Sequence, residues 1–112
     1  MNENFRILLV DDERPALENL QIAVEKAVPD SKIFMAQNVS QALDIMSDEK
    51  PNVAMLDIEM PEMNGLRLAK TLKDMNGEIN IIFVTAYDQY AVQAFGIKAS
   101  GYLLKPVRPD SI

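Results

Sequence analysis

The feature that most constrains the fold is a regular alternation between short apolar runs and longer amphipathic segments. The apolar runs are four to seven residues long, the length of a strand, and they show little polar alternation, as expected of strands buried on both faces of a sheet. Five strands are therefore predicted, at Arg6–Val10, Lys32–Ala36, Asn52–Leu56, Ile79–Thr85 and Gly101–Leu104.

The segments between these runs carry apolar residues at helical spacing. The first of them begins after Asp12 and has Pro15 in its first turn, where the missing N–H of proline is no loss. Strands that alternate with helices through short links predict an α/β domain with a parallel sheet and helices on both faces. The predicted helices are Glu13–Val28, a short one at Ser40–Asp48, Gly65–Asp74, and another short one around Gln89–Phe95.

The end of the sequence, "RPDSI", is too short for a fifth helix, although Asp110 is a suitable helix N-cap. We therefore expect one domain over residues 1–112 whose fifth helix is truncated at its C-terminal side. The missing helix would lie beside the first one and would leave apolar sheet surface uncovered. The chain is accordingly predicted to associate with another copy or to exchange elements with it.

Composition excludes several kinds of chemistry. The chain has no cysteine and no histidine, which removes disulfides, thiolate zinc sites, thiol nucleophiles and the commonest general base. A net charge of -6 argues against direct nucleic-acid binding by this domain. No apolar run approaches the roughly 20 residues that span a membrane, and the start lacks the apolar core of a signal peptide, so a cytoplasmic location is expected.

Charged and hydroxyl residues follow four of the five predicted strands. Taken singly, each has an ordinary interpretation, such as a helix cap, an Asx turn or a solvated lysine. In parallel sheets, however, ligands bind beyond the carboxyl ends of the strands, so the topology brings these residues to one edge. They are Asp11, Asp12, Asp57, Thr85 and Lys105.

Three neighbouring carboxylates repel one another unless a cation neutralises them. Oxygen ligands without His or Cys favour a hard metal, and a site with few protein ligands suits Mg²⁺ better than Ca²⁺, whose loop pattern is absent. A metal, a lysine and a hydroxyl beside a carboxylate are typical of phosphoryl transfer. Asp57 would then be the nucleophile that forms an acyl phosphate, with Lys105 and Thr85 covering phosphoryl oxygens.

Four segments in this order and spacing, "LLVDDE", "LDIEMPEMNG", "VTAYDQYAVQAF" and "YLLKP", resemble the receiver domain of two-component response regulators from Arg6 to Pro106. The resemblance implies a flavodoxin-like, doubly wound, five-stranded parallel sheet with strand order 2-1-3-4-5. The chain is similar in particular to receivers that precede LytTR-type DNA-binding domains. It departs from that subfamily at Gly96 and Ser100, where an acidic residue is common.

The resemblance implies a role for each residue of the site. Asp57 corresponds to the phosphoacceptor. Asp12 corresponds to a direct Mg²⁺ ligand and Asp11 to a ligand through water, and the main-chain carbonyl of Glu59 completes the protein ligands. Four further residues correspond to the switch hydroxyl, the switch aromatic, the amine that contacts the phosphoryl group, and the proline of a cis peptide bond, namely Thr85, Tyr102, Lys105 and Pro106.

The resemblance also implies partners. A sensor histidine kinase would donate the phosphoryl group, and a C-terminal DNA-binding output domain that regulates transcription would lie outside this chain. Phosphorylation would change the surface of the fourth helix and fifth strand, through which the domain is expected to form a homodimer. Ala91, Val92 and Phe95 are the residues expected on that surface. Tyr102 also has a simpler interpretation, as an aromatic that only packs against the sheet.

Two other functions are compatible with parts of the pattern. A small Mg²⁺-dependent phosphatase would use Asp57 as nucleophile with Glu59 two positions later. In such enzymes, however, this pair of carboxylates follows the first strand, whereas Asp57 and Glu59 follow the third. The chain also has no cap segment to hold a substrate. A flavin-binding module of the same fold needs a Ser/Thr/Gly-rich phosphate loop after the first strand. The sequence "DDERPA" there offers carboxylates, which would repel a flavin phosphate.

Overall fold

The computed structural model describes residues 5–61 and 63–112. The predicted domain also includes residues 1–4 and Glu62, which lie outside the described residues. In the described part, strands and α-helices alternate, and a single 3₁₀ turn follows the last strand. The elements are β1 (Arg6–Val10), α1 (Arg14–Ala27), β2 (Lys32–Ala36), α2 (Val39–Glu49), β3 (Val53–Leu56), α3 (Gly65–Met75), β4 (Asn80–Thr85), α4 (Ala91–Gly96), β5 (Gly101–Leu104) and the turn Pro109–Ser111.

All five strands are parallel and lie in the order β2-β1-β3-β4-β5. The predicted fold class and strand order are confirmed. The chain moves from β1 outward to β2 and then crosses back to β3 on the other side of β1. Such a reversal leaves a crevice beyond the carboxyl ends of the two central strands, which is where ligands bind in sheets of this kind.

The two faces of the sheet bury alternate residues of each strand. Leu8, Leu56 and Phe83 belong to the core that packs under α2 and α3. Their neighbours in the same strands, Leu9 and Met55, belong to the core under α1. Because successive strand residues point to opposite faces, a strand covered on both sides has to be apolar throughout. This explains the uninterrupted apolar runs of the sequence.

Helix boundaries differ from the predicted ones by a few residues. α2 begins one residue early, at Val39, because the Asn38 side chain accepts a hydrogen bond of 2.8 Å from the Gln41 N–H and acts as the N-cap. α4 begins at Ala91 instead of near Gln89. None of the described helices is long and apolar enough to cross a membrane.

The predicted role of Asp110 as a helix N-cap is wrong. Asp110 lies inside the 3₁₀ turn, whose N-cap is Arg108. Pro109 occupies the first helical position, where its fixed φ and missing N–H are well suited, and so the turn starts one residue earlier.

On the sheet face covered by α1, Ile82 and Leu103 are only half-buried.

Candidate functional site

Three of the predicted site residues occupy the first position after a strand. The backbone N–H groups of Asp11, Asp57 and Lys105 each donate to the carbonyl of the last residue in a neighbouring strand, at 3.2, 3.0 and 2.9 Å. Each strand pairing is therefore extended by one hydrogen bond past its end. Because the backbone at these positions is fixed by the sheet, the three side chains start from well-defined points on one edge.

Asp11, Asp12 and Asp57 form a cluster of carboxylates. One oxygen from each lies within 4.8 Å of the others. Asp11 and Asp57 are buried and Asp12 is half-buried. The Glu13 N–H donates to Asp11 Oδ1 at 3.0 Å and orients that carboxylate. A compact set of oxygen donors with this much negative charge fits a hard divalent cation such as Mg²⁺.

Lys105 joins two of these carboxylates. Its Nζ lies 2.7 Å from Asp11 Oδ2 and 3.1 Å from Asp57 Oδ2. Burial lowers the pKa of Lys105, but the hydrogen bonds and negative charges of Asp11 and Asp57 outweigh it, and the pKa lies above its ordinary value. The ammonium group is therefore charged at neutral pH and partly neutralises the cluster.

Thr85 is fully buried at the end of β4. Its hydroxyl accepts a hydrogen bond of 3.4 Å from the Tyr87 N–H, so that it is held within its own loop. The carbonyl of the same residue, Tyr87, accepts a hydrogen bond from the hydroxyl of Tyr102 on β5. The two residues predicted to act together, Thr85 and Tyr102, thus both contact the backbone of Tyr87.

The ring of Tyr102 packs against Phe83, with ring centroids 6.3 Å apart and planes tilted by 54°. Burial is the main cause that raises the pKa of Tyr102 above its ordinary value. Tyr102 therefore packs against the sheet and also makes a polar contact with the β4–α4 loop. The Lys105–Pro106 peptide bond beyond β5 is cis.

Close backbone packing holds the loop that follows Asp57. The Gly65 N–H donates to the Ile58 carbonyl at 2.7 Å. A Cβ atom at Gly65 would lie only 2.0 Å from the Asp57 carbonyl oxygen, which is shorter than any real contact. Glycine is therefore required where α3 begins, because the helix start touches the backbone of the central aspartate.

Glu59 and Tyr90 make a contact that the sequence did not reveal. The Tyr90 hydroxyl donates to the Glu59 carboxylate, and this hydrogen bond raises the pKa of Tyr90. The two residues lie 31 positions apart in different loops, and no periodicity or motif connects them. The Glu59 N–H donates to Asp57 Oδ1 at a longer distance of 3.4 Å.

Large apolar side chains are exposed on α4 and on β5. Val92 and Phe95 of α4 are 83% and 84% exposed, and Leu104 of β5 is 51% exposed. Ala91 is exposed as well. The residues expected on the partner surface are thus accessible in the structure.

Comparison with known proteins identifies relatives along almost the whole chain. Residues 7–112 match the family described as the response regulator receiver domain. The chain is 40% identical over 108 residues to the sensory transduction protein LytT of Bacillus subtilis, which covers 96% of this chain and 45% of that protein. It is 37% identical over 110 residues to the positive alginate biosynthesis regulatory protein of Pseudomonas aeruginosa, which covers 96% of this chain and 44% of that protein.

A solved structure has the same fold. The response regulator protein TrrA of Thermotoga maritima, in complex with Mg²⁺ and BeF, matches with a TM-score of 0.84 and 31% identity. That match covers 96% of this chain and 91% of TrrA. The chain spans less than half the length of the two curated relatives given above.

Proposed function

The chain belongs to the response regulator receiver domain family, and from this we propose that Asp57 accepts a phosphoryl group from a sensor histidine kinase in the presence of Mg²⁺. The observation that carries the proposal is the position of Asp57. Its buried carboxylate lies 3.1 Å from the Lys105 ammonium and in a cluster with Asp11 and Asp12. A buried carboxylate beside a cation is a nucleophile whose surroundings can also offset the charge of a phosphoryl group.

In the proposed reaction, an oxygen of Asp57 attacks the phosphorus of a phosphohistidine on the kinase. The phosphorus–nitrogen bond breaks, and the imidazole leaves with the electron pair and takes up a proton. The product is an acyl phosphate on Asp57. Lys105, which holds Asp57 and Asp11 in the structure, would contact an oxygen of the transferred group and stabilise its charge.

The proposed metal ligands are Asp12 directly, Asp11 through water, Asp57 and the main-chain carbonyl of Glu59. Bound there, Mg²⁺ would offset negative charge on the phosphoryl oxygens. The oxygen-only donor set fits this ion, and the TrrA structure holds Mg²⁺ together with BeF. The chain's contribution is to bring the carboxylates together at the ends of β1 and β3 before any ligand arrives.

Thr85 and Tyr102 are proposed to report the phosphorylated state. In the phosphorylated state, the Thr85 hydroxyl would donate to a phosphoryl oxygen, and its movement toward that oxygen would lengthen the 3.4 Å hydrogen bond that it accepts from the Tyr87 N–H. The Tyr102 hydroxyl donates a hydrogen bond to the carbonyl of Tyr87, so movement of the β4–α4 loop would release the Tyr102 side chain as well. The added charge would thereby shift the population of conformations on the α4–β5 surface.

The exposed apolar side chains on α4 and β5 are proposed to form the homodimer surface in the phosphorylated state. Residues 1–112 are proposed to be the receiver part of a longer cytoplasmic regulator, whose fifth helix and DNA-binding output domain follow this chain. The support is that the curated relatives are more than twice as long, and that one of them is described as a regulatory protein. Direct nucleic-acid binding is not assigned to this domain, whose net charge is -6.

The phosphatase alternative gains no support from the site. In such an enzyme Glu59 would act at the reacting group, whereas here its carboxylate contacts Tyr90. The domain is therefore proposed to catalyse its own phosphorylation and a slow hydrolysis of the acyl phosphate, without turnover of free substrates.

The test is intact-mass measurement after incubation with a small phosphoryl donor such as acetyl phosphate. We expect one phosphoryl group per chain with Mg²⁺, none with a chelator, and none in Asp57→Asn. Asp74→Asn, at an exposed position of α3, is the matched control and should behave as wild type. Incorporation that does not depend on the metal would overturn the proposal.

A further inference from the structure

The hydrogen bond between Tyr90 and Glu59 joins the two loops on either side of Asp57. Glu59 lies two positions after Asp57 in the β3–α3 loop. Tyr90 is the N-cap residue of α4 and ends the loop that starts at Thr85. Within residues 5–61 and 63–112, a side-chain hydrogen bond thus connects the β3–α3 loop to the β4–α4 loop. It therefore links segments that both start at the edge where the carboxylates meet.

The same pair lines an open cleft beside the carboxylate cluster. The cleft has a volume of about 540 Å³, and its lining includes Asp12, Glu59, Met60 and Tyr90. Asp12 belongs to the cluster whose oxygens lie within 4.8 Å of one another. A small molecule or a water molecule that enters this cleft would therefore reach the neighbourhood of Asp57 and would pass the Glu59 carboxylate.

We propose that Tyr90 is a positioning residue which holds the Glu59 carboxylate at the rim of this cleft and thereby prolongs the lifetime of the acyl phosphate. The inference rests on the proposed role of Asp57 as phosphoacceptor. Tyr90 acts through Glu59 and does not itself touch the reacting atoms.

The chemistry of hydrolysis explains why the position of this carboxylate matters. A water oxygen forms a bond to phosphorus, the bond from phosphorus to the Asp57 oxygen breaks, and inorganic phosphate leaves while Asp57 is again a carboxylate. The water loses a proton in this step. A carboxylate that is free to reach the water can orient it and accept that proton, whereas a carboxylate bonded to Tyr90 is held away from it.

Removal of the Tyr90 hydroxyl should therefore accelerate hydrolysis. The hydrogen bond is exposed to solvent, so we expect a modest increase of about three- to tenfold in the rate of phosphoryl loss for Tyr90→Phe. The extent of phosphorylation before the donor is removed should stay near one group per chain, because the carboxylate cluster and Lys105 are untouched. The stability of the fold should hardly change, because the ring of Tyr90 is retained.

The experiment is a double-mutant cycle on the hydrolysis rate. Wild type, Tyr90→Phe, Glu59→Ala and the double variant are phosphorylated with acetyl phosphate and Mg²⁺, the donor is removed, and the loss of phosphoryl mass is followed. Ser100→Ala is the control, because it removes another exposed side-chain hydrogen bond, of 3.0 Å to Asn80, outside the cleft. It should decay at the wild-type rate.

We expect Tyr90→Phe to accelerate hydrolysis in the wild-type background and to have no further effect in the Glu59→Ala background. A wild-type rate in Tyr90→Phe would overturn the inference. An acceleration that persists in full without Glu59 would also overturn it, because Tyr90 would then act by another route. If the wild-type chain takes up no phosphoryl group, the proposed function itself fails and this inference fails with it.

Discussion

The ammonium group of Lys105 lies 3.1 Å from a carboxylate oxygen of Asp57, and the two residues are 48 positions apart in the sequence. Asp57 is buried, and a buried charge is stable only when it is paired and hydrogen-bonded. Lys105 supplies that pairing and bonds Asp11 in the same way, at 2.7 Å. One side chain at the end of β5 therefore supplies a cation to two carboxylates, at the ends of β1 and β3.

Lys105→Met should destabilise the chain in the absence of Mg²⁺. Two carboxylates would lose their cation, and we expect the free energy of unfolding to fall by about 1–3 kcal/mol. Mg²⁺ should restore more stability to the variant than to wild type, since an ion that binds only the folded state stabilises it.

Urea unfolding with and without Mg²⁺ measures both effects. Lys70→Met is the control, since Lys70 is exposed on α3 and should give a change close to zero. Equal stabilities of Lys105→Met and wild type without metal would show that the Lys105 contacts do not stabilise the buried carboxylates.

Stability should decrease at alkaline pH. The pKa values of Lys105 and Tyr102 are raised above their ordinary values of 10.5 and 10.0. The folded chain therefore holds these protons more tightly than the unfolded chain, and the free energy of unfolding falls as pH rises through this range. The contribution of Lys105 is complete below its unfolded pKa and is lost above its folded pKa.

Unfolding free energies measured between about pH 8 and about pH 11 test this expectation. The decrease should be smaller in Lys105→Met, which lacks one of the groups with a raised pKa. A free energy that stays constant or rises across this range would contradict the pKa directions.

Alanine substitution is expected to have opposite effects on stability at Gly65 and Gly96. Gly65→Ala would place a Cβ atom 2.0 Å from the Asp57 carbonyl oxygen, so the backbone must shift, and we expect a loss of about 1–3 kcal/mol. Gly96→Ala is the matched comparison, because nothing lies within 4 Å of its Cβ position at the end of α4. Since alanine favours the helix, a gain of up to about 1 kcal/mol is expected there.

Thermal or urea unfolding of both variants checks the pair. Gly65→Ala should also weaken Mg²⁺ binding, because the displaced backbone carries Asp57. A Gly65→Ala variant as stable as Gly96→Ala would mean that the two backbones are not held as closely as the structure indicates.

The proposed homodimer surface on α4 and β5 predicts how association depends on phosphorylation. Phe95→Asp places a charge on a side chain that is 84% exposed, so it should not disturb the fold but should prevent a dimer through this surface. In sedimentation experiments, Mg²⁺ and acetyl phosphate should increase the dimer fraction of wild type and should leave that of Phe95→Asp unchanged. Met75→Asp, at a 46% exposed residue on α3, should dimerise as wild type does. Equal dimerisation of Phe95→Asp would place the interface elsewhere.

Much of the fold could be predicted because the central strands β1 and β3 are covered on both faces, which leaves apolar runs that the sequence displays directly. The strand ends followed from these runs, and the geometry of parallel sheets then placed Asp11, Asp57 and Lys105 together. Helix starts were less certain where the capping signal was weak, as at Tyr90, which caps α4 without a side-chain hydrogen bond.

Contacts between loops could not be predicted. The Tyr90–Glu59 hydrogen bond depends on how two irregular segments lie in space, and no periodicity encodes that. Tyr87 is a similar case, because its contacts with Thr85 and Tyr102 are made by its backbone N–H and carbonyl. Such contacts do not depend on the residue type and so cannot be predicted from it. At the C-terminal turn, Asp110 was a reasonable cap by residue type, but Pro109 is the stronger determinant of where a helical turn begins.

Locating the phosphoryl group tests most directly whether Asp57 is the phosphoacceptor. Wild-type chain phosphorylated in Mg²⁺ is treated with borohydride, which reduces an aspartyl phosphate to homoserine, and the peptides are then sequenced by mass spectrometry. We expect homoserine at position 57 in wild type and at no position in Asp57→Asn. Homoserine at Asp11 or Asp12 in the wild-type chain, or an undiminished yield in Asp57→Asn, would contradict this expectation.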